Sequence, residues 1–247
     1  MVVPIRPPKP KYAAVGSEGT SEFTSAVTTA NLTHRQKRQR TRTGRNQLEE
    51  VVARAMLQPM SVSFDSLADL MHSRRTSMLV DQQREVPTRI VEQLCELAQW
   101  APNHRRTWPW RFALFTGDGR SRLGEAFSSD MIDRDFGDDV KRSKTLIKYL
   151  RTPAVLVVGC AADAKPTMHD ENRDSVAAGI QNILLGATAI GLASYWSTAP
   201  LIDSPRVLEL CGFEPDARII SVMYLGWAEG STEVPIRPAV SVQVIDA

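Results

Sequence analysis

Apolar positions recur at two spacings along this chain, and the switches between them mark out its elements. From Ser63 onward Phe64, Leu67, Leu70 and Met71 fall at helical spacing, predicting an amphipathic helix that ends near His72-Ser73. Pro87 suits the first turn of a second helix, whose Ile90, Leu94 and Leu97 form a stripe running to Trp100. Arg111 to Thr116 alternates as a strand, and Gly117-Asp118-Gly119 is a turn. A short helix is expected from Ser121 to about Ser128. Another runs from about Asp138 to Leu150, with Asp138 and Asp139 at its start and Lys144 and Lys148 toward its end, as the helix dipole favours. Pro153 stops it. Ala154 to Cys160 is a continuous valine-rich run, the signature of a strand covered on both faces. Thr167 can cap a long helix that carries Asp170 and Glu171 in its first turn. From Val176 to Leu192 that helix is apolar nearly all round and is expected to be buried. Its small residues, Gly179 and Gly186 among them, let another helix approach closely, which reads either as core packing or as a subunit interface. Ala193 to Trp196 is a short strand, Pro205 to Leu210 a short helix, and Arg218 to Trp227 a strand. Residues 239 to 245 alternate well but have no hairpin partner nearby, so a remote pairing, with another subunit as one option, is expected. Strands separated by helices make an α+β or α/β body without internal repeats.

Charge divides the chain differently. Residues 1 to 60 hold ten Lys/Arg against four Asp/Glu, although the whole chain is only +2. The basic character therefore belongs to this segment, and the remainder is acidic. Prolines, Ser/Thr/Gly and a basic run from His34 to Arg45, without a sustained apolar period, predict a disordered basic extension over 1–60 and a folded domain over 61–247. The run could meet an anionic membrane or nucleic acid, but interleaved aromatics and a groove-reading motif are missing, so a solvated tail is the stronger expectation. Translation starting at Met56 or Met60 is an alternative that an intact mass would decide. The first residues lack the apolar core of a secretory signal, and the long apolar run is interrupted by Gln181 and Asn182, so neither export nor a membrane span is expected. Cys95, Cys160 and Cys211 are widely spaced in apolar sequence, as buried thiols in a reducing cytoplasm would be.

Three segments could carry chemistry. Arg74-Arg75-Thr76-Ser77 follows the first helix; guanidinium forks match phosphate oxygens, although paired arginines also suit a solvated helix end. Ala101-Pro102-Asn103-His104-Arg105-Arg106-Thr107-Trp108-Pro109-Trp110-Arg111-Phe112 is a cationic, aromatic loop that cannot continue the helix before it. It reads as a seat for a flat anionic ligand or as a surface loop anchored by Trp-Pro-Trp. Trp196-Ser197-Thr198, followed by Ala199-Pro200, places hydroxyls after a buried strand.

Taken in order, these segments resemble the nitroreductase family of flavoproteins. Members carry a helix followed by Arg-Arg-Ser or a variant, then a helix ending in Ala-Pro, a loop, and Gln-Pro-Trp-Arg-Phe leading into a strand. Here Arg74-Arg75-Thr76, Ala101-Pro102-Asn103-His104 and Trp108-Pro109-Trp110-Arg111-Phe112 match, followed by Gly191-Leu192, Trp196 and Leu225-Gly226. The resemblance covers about residues 63 to 230. It implies an α+β fold with a central, mostly antiparallel sheet flanked by helices, and an intertwined homodimer with FMN at the subunit interface. It also implies electron transfer from NADH or NADPH to a small-molecule acceptor, a nitroaromatic, quinone or similar compound, by a ping-pong mechanism. Arg74, Arg75 and Thr76 are expected at the FMN phosphate and ribityl chain, His104 at the flavin of the second subunit, and Trp196, Ser197 and Thr198 beside the ring. Trp108 stands where many members place Gln, so it either stacks on the flavin or that contact is lost; Arg237 is a loose match to a C-terminal phosphate contact. The flavin carries the chemistry, so no catalytic acid or base and no metal is expected. Another FMN reaction on the same fold (dehalogenation, dehydrogenation or flavin degradation) and, further off, a nucleic-acid-binding protein using the basic tail are the alternatives.

Overall fold

The computed structural model describes residues 62–246. The expectations of a disordered extension over 1–60 and of a translation start at Met56 or Met60 fall on residues outside those described. In chain order the elements are α1 (Phe64–Ser73), α2 (Thr88–Ala98), β1 (Trp110–Thr116), α3 (Gly119–Asp133), α4 (Asp139–Ile147), β2 (Ala154–Cys160), α5 (Pro166–Ala189), β3 (Leu192–Ser197), α6 (Pro205–Cys211) and β4 (Arg218–Trp227). Short 3-10 turns occupy His104–Arg106 and Lys148–Arg151.

The valine-rich run forms the centre. All of β2 is buried, between β1 and β4, in a four-stranded sheet of order β1-β2-β4-β3 whose ladders are all antiparallel. Because successive strand residues point to opposite faces, β2 feeds two cores at once. Leu156 and Val158 pack on the side of α2 and α5, with Val91, Leu94, Val176, Ile180 and Ile183. Val155 and Val157 pack on the other side against Leu123 and Phe127 of α3, Val207 and Leu208 of α6, and Tyr149. The fold is therefore α+β, a central antiparallel sheet flanked by helices.

Several expected boundaries shift for physical reasons. α3 is twice as long as its polar composition suggests, because Leu123, Phe127 and Met131 at four-residue spacing are wholly buried. Its Asp130 is buried too, and is satisfied by the Ser204 hydroxyl, the Arg206 guanidinium and the Arg206 amide at 3.1 Å. The helix expected to reach Leu150 tightens into 3-10 geometry after Ile147. α5 starts two residues earlier than a Thr167 cap requires: Lys165 is the N-cap, without a side-chain bond, and Pro166 opens the helix because its missing N–H costs nothing there. Within the protomer α5 buries one stripe only, leaving Gln181 and Ala189 exposed and Leu185 half-buried. Both glycines of its small-residue stripe face partners inside the chain. A Cβ on Gly179 would stand 2.5 Å from Trp110 Nε1, and one on Gly186 would stand 2.7 Å from Leu97 of α2. Residues 239–245 pair with no described strand, and Val240, Val242 and Val244 are exposed.

The three cysteines are free thiols, Cys160 buried and the others half-buried. Burial pushes Cys95 and Cys211 up to about 12 and Cys160 to about 11, so all three stay protonated and unreactive near neutrality.

Candidate functional site

α1 is capped at its start by the Ser63 hydroxyl, which accepts from the Ser66 amide at 3.1 Å, and ends where Arg74 turns extended. The chain then runs beside the sheet edge. Thr76 forms a parallel bridge with Ser194 of β3, the Ser77 amide donates to the Ser194 carbonyl at 3.1 Å, and Val80 bridges Ala228 just past β4. The arginine pair and the Trp196-Ser197-Thr198 segment are thus joined by backbone pairing: Trp196 lies two residues along β3 from the residue that Thr76 meets. The two arginines differ. Arg75 turns back on α1, donating from Nη1 to the His72 carbonyl and, at 2.9 Å, to the Arg74 carbonyl, as a cation suits a helix C-terminus. Its Nε is buried and has no partner among the described residues. A buried guanidinium N–H without an acceptor is rare and marks a place where a ligand atom fits. Arg74 makes no ion pair among the described residues.

Both arginines and Thr76 line a cavity of about 440 Å³ with Thr232, Glu233, Pro235 and Arg237. Three guanidinium groups against one carboxylate leave it cationic. Arg237, only a loose match in sequence, therefore sits with the arginine pair, and Thr232 was not signalled by any motif. An adjoining cavity of about 370 Å³ is lined by Ser73, Arg75, Ser77, Gly191 and Ala193 among others. Ser194, between Ala193 and Tyr195, keeps a buried hydroxyl without a partner among the described residues.

The cationic loop lies elsewhere in the protomer. It folds against the first turns of α5 through side chains on both partners. Asn103 donates to Thr107 at 2.9 Å and to Ser175 at 3.3 Å, Thr107 donates to Asn172, and His104 Nδ1 meets Glu171 at 2.5 Å. Asn103 also accepts from the Trp108 amide at 2.9 Å. Those bonds hold a strained backbone, since Arg105, Arg106 and Trp108 have φ of 58°, 54° and 51°. Left-handed geometry costs a non-glycine residue roughly 1 kcal/mol or more and persists only where its surroundings impose it. Arg111 pins the far end: it donates to the Trp108 carbonyl at 3.2 Å and grips Glu214 with Nε and Nη2 at 2.7 to 3.0 Å. That hydrogen-bonded pair raises Arg111 and lowers Glu214 from their ordinary values. Trp108 is exposed, its ring 6.3 Å from the buried Trp110. None of the loop's residues lines the arginine cavity. Trp196 is likewise at the surface, donating to the Ile220 carbonyl at 3.4 Å, and the Ser197 hydroxyl donates to the Thr198 carbonyl at 3.4 Å.

The sequence pattern of the Nitroreductase family matches residues 71–227, a span running from the end of α1 through β4. The chain belongs to the nitroreductase family. Among related proteins, the Bacillus subtilis (strain 168) protein named "Putative NAD(P)H nitroreductase YfhC" is 26% identical over 179 residues, covering 69% of this chain and 89% of that protein. The crystal structure of a nitroreductase-like family protein from Bacillus cereus superposes with a TM-score of 0.65 at 26% identity, covering 75% of this chain and 99% of that one. The FMN-dependent nitroreductase NfnB from Mycobacterium smegmatis, solved in complex with NADPH, shares the fold at 18% identity, with a TM-score of 0.55 over 70% of this chain and 94% of that one. Among the described residues, no His/Cys/Asp/Glu group could hold a metal ion, and no helix is long and apolar enough to cross a membrane.

Proposed function

We propose that the protein is an FMN-dependent oxidoreductase of the cytoplasm, working as a homodimer. It would take electrons from NADH or NADPH and pass them to nitroaromatic, quinone or similar electron-poor acceptors in ping-pong fashion. The observation that carries this reading is the cationic cavity beside β3, in which a buried Arg75 Nε lacks an acceptor and Arg74, Thr76 and Arg237 share the wall. A phosphate dianion fits that donor set, because charge-assisted bonds to guanidinium are strong and the net charge of the wall is positive. Family membership, and the FMN and NADPH named for NfnB, support the choice of flavin over other phosphorylated ligands.

In this reading Arg74 and Arg75, with Arg237, hold the phosphate, and Thr76 offers its hydroxyl to the ribityl chain. Trp196, Ser197 and Thr198 form the edge on which the ring rests. His104 and Trp108, remote from the cavity of their own chain, serve the flavin of the second subunit. When bound, FMN supplies hydride acceptance and onward electron transfer. The chain's part is to neutralise the phosphate, orient the ring and keep one ring face accessible, which requires no acid–base pair of its own.

The purified full-length protein should be yellow, or become so with FMN, and its flavin band should bleach when NADH or NADPH is added without oxygen. Arg74→Ala should retain FMN roughly ten- to a hundred-fold less tightly, since a charge-assisted bond is worth about 1.5–3 kcal/mol. A protein that stays colourless with FMN would overturn the proposal. Bound FMN that neither nicotinamide donor reduces would transfer it to another FMN reaction on this fold.

A further inference from the structure

Lys141, Lys144 and Lys148 stand at helical spacing on one face of α4 and its 3-10 extension, opposite the loop that leaves β3 at Thr198. They line a groove of about 630 Å³ whose other walls include Phe136, Thr198 and Pro200. Like charges three and four residues apart on a helix repel by a few tenths of a kcal/mol, so such a row normally alternates with carboxylates. Here none answers it: among the described residues, no carboxylate lies within 4.0 Å of these three ammonium groups. Asp138, at the rim, is already engaged as the N-cap of α4, accepting from the Lys141 amide at 2.7 Å.

The groove also has apolar surfaces. Phe136, Val140 and Pro200 line it, and Lys141 Nζ lies 4.4 Å from the centre of the Phe136 ring; Lys148 Nζ lies 5.0 Å from the ring of Tyr149, which is wholly buried and does not line the groove. Lys148 is half-buried; desolvation, helped by the charge of Lys141, lowers it to about 8. An ammonium held against a partly dry wall shows such a shift. Ammonium groups without counter-ions, beside an aromatic ring and a proline, match a flat organic anion: the charges take its anionic group, and Phe136 and Pro200 take its body.

We propose that this groove seats the carboxylate of the electron acceptor, so that the protein favours aromatic acceptors bearing a carboxylate over neutral analogues of the same shape. The assignment rests on the flavin reading above through Thr198, which borders the groove and belongs to the segment assigned to the ring. The lysines act on specificity and take no part in electron transfer.

Two measurements on the full-length protein with FMN test this, using 4-nitrobenzoate and the neutral 4-nitrobenzamide. By calorimetry the wild type should bind 4-nitrobenzoate at least about ten-fold more tightly than the Lys144→Ala/Lys148→Ala variant, and the corresponding double Arg variant should recover most of the difference. In turnover, the ratio of kcat/KM for nitrobenzoate over nitrobenzamide should fall by a similar factor in the Ala variant. Lys144→Gln, at an exposed position, gives a smaller change of the same sign if the double variant melts early. Equal binding of 4-nitrobenzoate by wild type and variants overturns the proposal, as does a wild type that binds inorganic phosphate in this groove but not nitrobenzoate. A colourless protein that nonetheless binds 4-nitrobenzoate through these lysines would sink the flavin reading and leave an anion groove. A yellow, reducible protein indifferent to Lys144 and Lys148 would do the reverse.

Discussion

Asn103 carries three of the bonds that keep the loop between α2 and β1 in its strained shape, accepting from the Trp108 amide and donating to Thr107 and Ser175. Alanine at this position removes all three, while the left-handed residues Arg105, Arg106 and Trp108 keep their backbone cost. Asn103→Ala should therefore open the loop by about 1–3 kcal/mol, read as faster hydrogen exchange at the Trp108 amide with little change in the global unfolding midpoint. Asn103→Asp, which keeps an acceptor for that amide but loses both donors, should fall between. Unchanged exchange at Trp108 in the alanine variant would show that the strain is held by other contacts. The sequence marks this segment as a loop rich in donors, because its prolines and consecutive cations are local features. What it could not mark is the anchoring. Ser175, Asn172 and Glu171 lie 72, 65 and 67 positions from Asn103, Thr107 and His104, and nothing in a polar first half of a helix singles them out. Arg75 shows the same limit: an arginine pair after a helix was legible, but its engagement with α1 carbonyls and its buried Nε without a partner among the described residues follow from how the helix ends.

Elements were legible in proportion to how completely their burial was written into a local period. β2 and β4 match their expected spans because an unbroken valine-rich run and a long aliphatic strand have no other reading at that length. α3 was underestimated because its buried Asp130 and Ser128 look like surface, and only the partners contributed by α6 and α4 explain them. The small residues of α5 left core and interface readings open. Within the protomer they seat α2 and β1, and the two glycines do so differently. A Cβ at Gly179 meets Trp110 Nε1 at 2.5 Å and the Ala98 carbonyl at 2.8 Å, a buried ring and a backbone atom that cannot retreat. A Cβ at Gly186 meets only the methyl ends of Leu97 and Leu94, at 2.7 and 2.8 Å, which can rotate aside. Replacing a helical glycine by alanine gains roughly 1 kcal/mol of propensity, whereas overpacking a rigid site costs about 1–3 kcal/mol. Gly179→Ala should thus lower the urea midpoint clearly, and Gly186→Ala should leave it nearly unchanged. Equal shifts in the two variants would mean that the α2–α5 contact is looser than these distances indicate.

At the scale of the whole protomer, large apolar side chains stand exposed on several elements among the described residues. α1 has no buried residue, although Phe64, Leu67 and Met71 lie on it, and Phe64 is 83% exposed. Trp100, just past α2, is 80% exposed, and Ile236 and Val240 of the C-terminal segment are almost wholly so. α1 formed as its apolar period predicts, yet a helix of ten residues has little stability of its own and needs a surface to lie on. A second copy of the chain supplies one in the homodimeric reading, and would also bring a His104 loop to each arginine cavity. Each buried aromatic or leucine side chain contributes about 1.5–3 kcal/mol, so charges at two of these positions should weaken association by about 3 kcal/mol or more, at least a hundred-fold in the dimer constant. Sedimentation equilibrium should accordingly find the full-length protein dimeric and the Phe64→Asp/Leu67→Asp variant largely monomeric at the same micromolar concentration. Because the cavity beside β3 keeps its arginines in the monomer, the variant should bind FMN more weakly without losing it altogether, by the share that His104 and Trp108 contribute from the second subunit. A variant that stays dimeric with unchanged flavin affinity would place the subunit contact elsewhere than α1. A monomer whose FMN affinity equals that of the wild type would separate the dimer from the site and return His104 and Trp108 to the role of a structural loop.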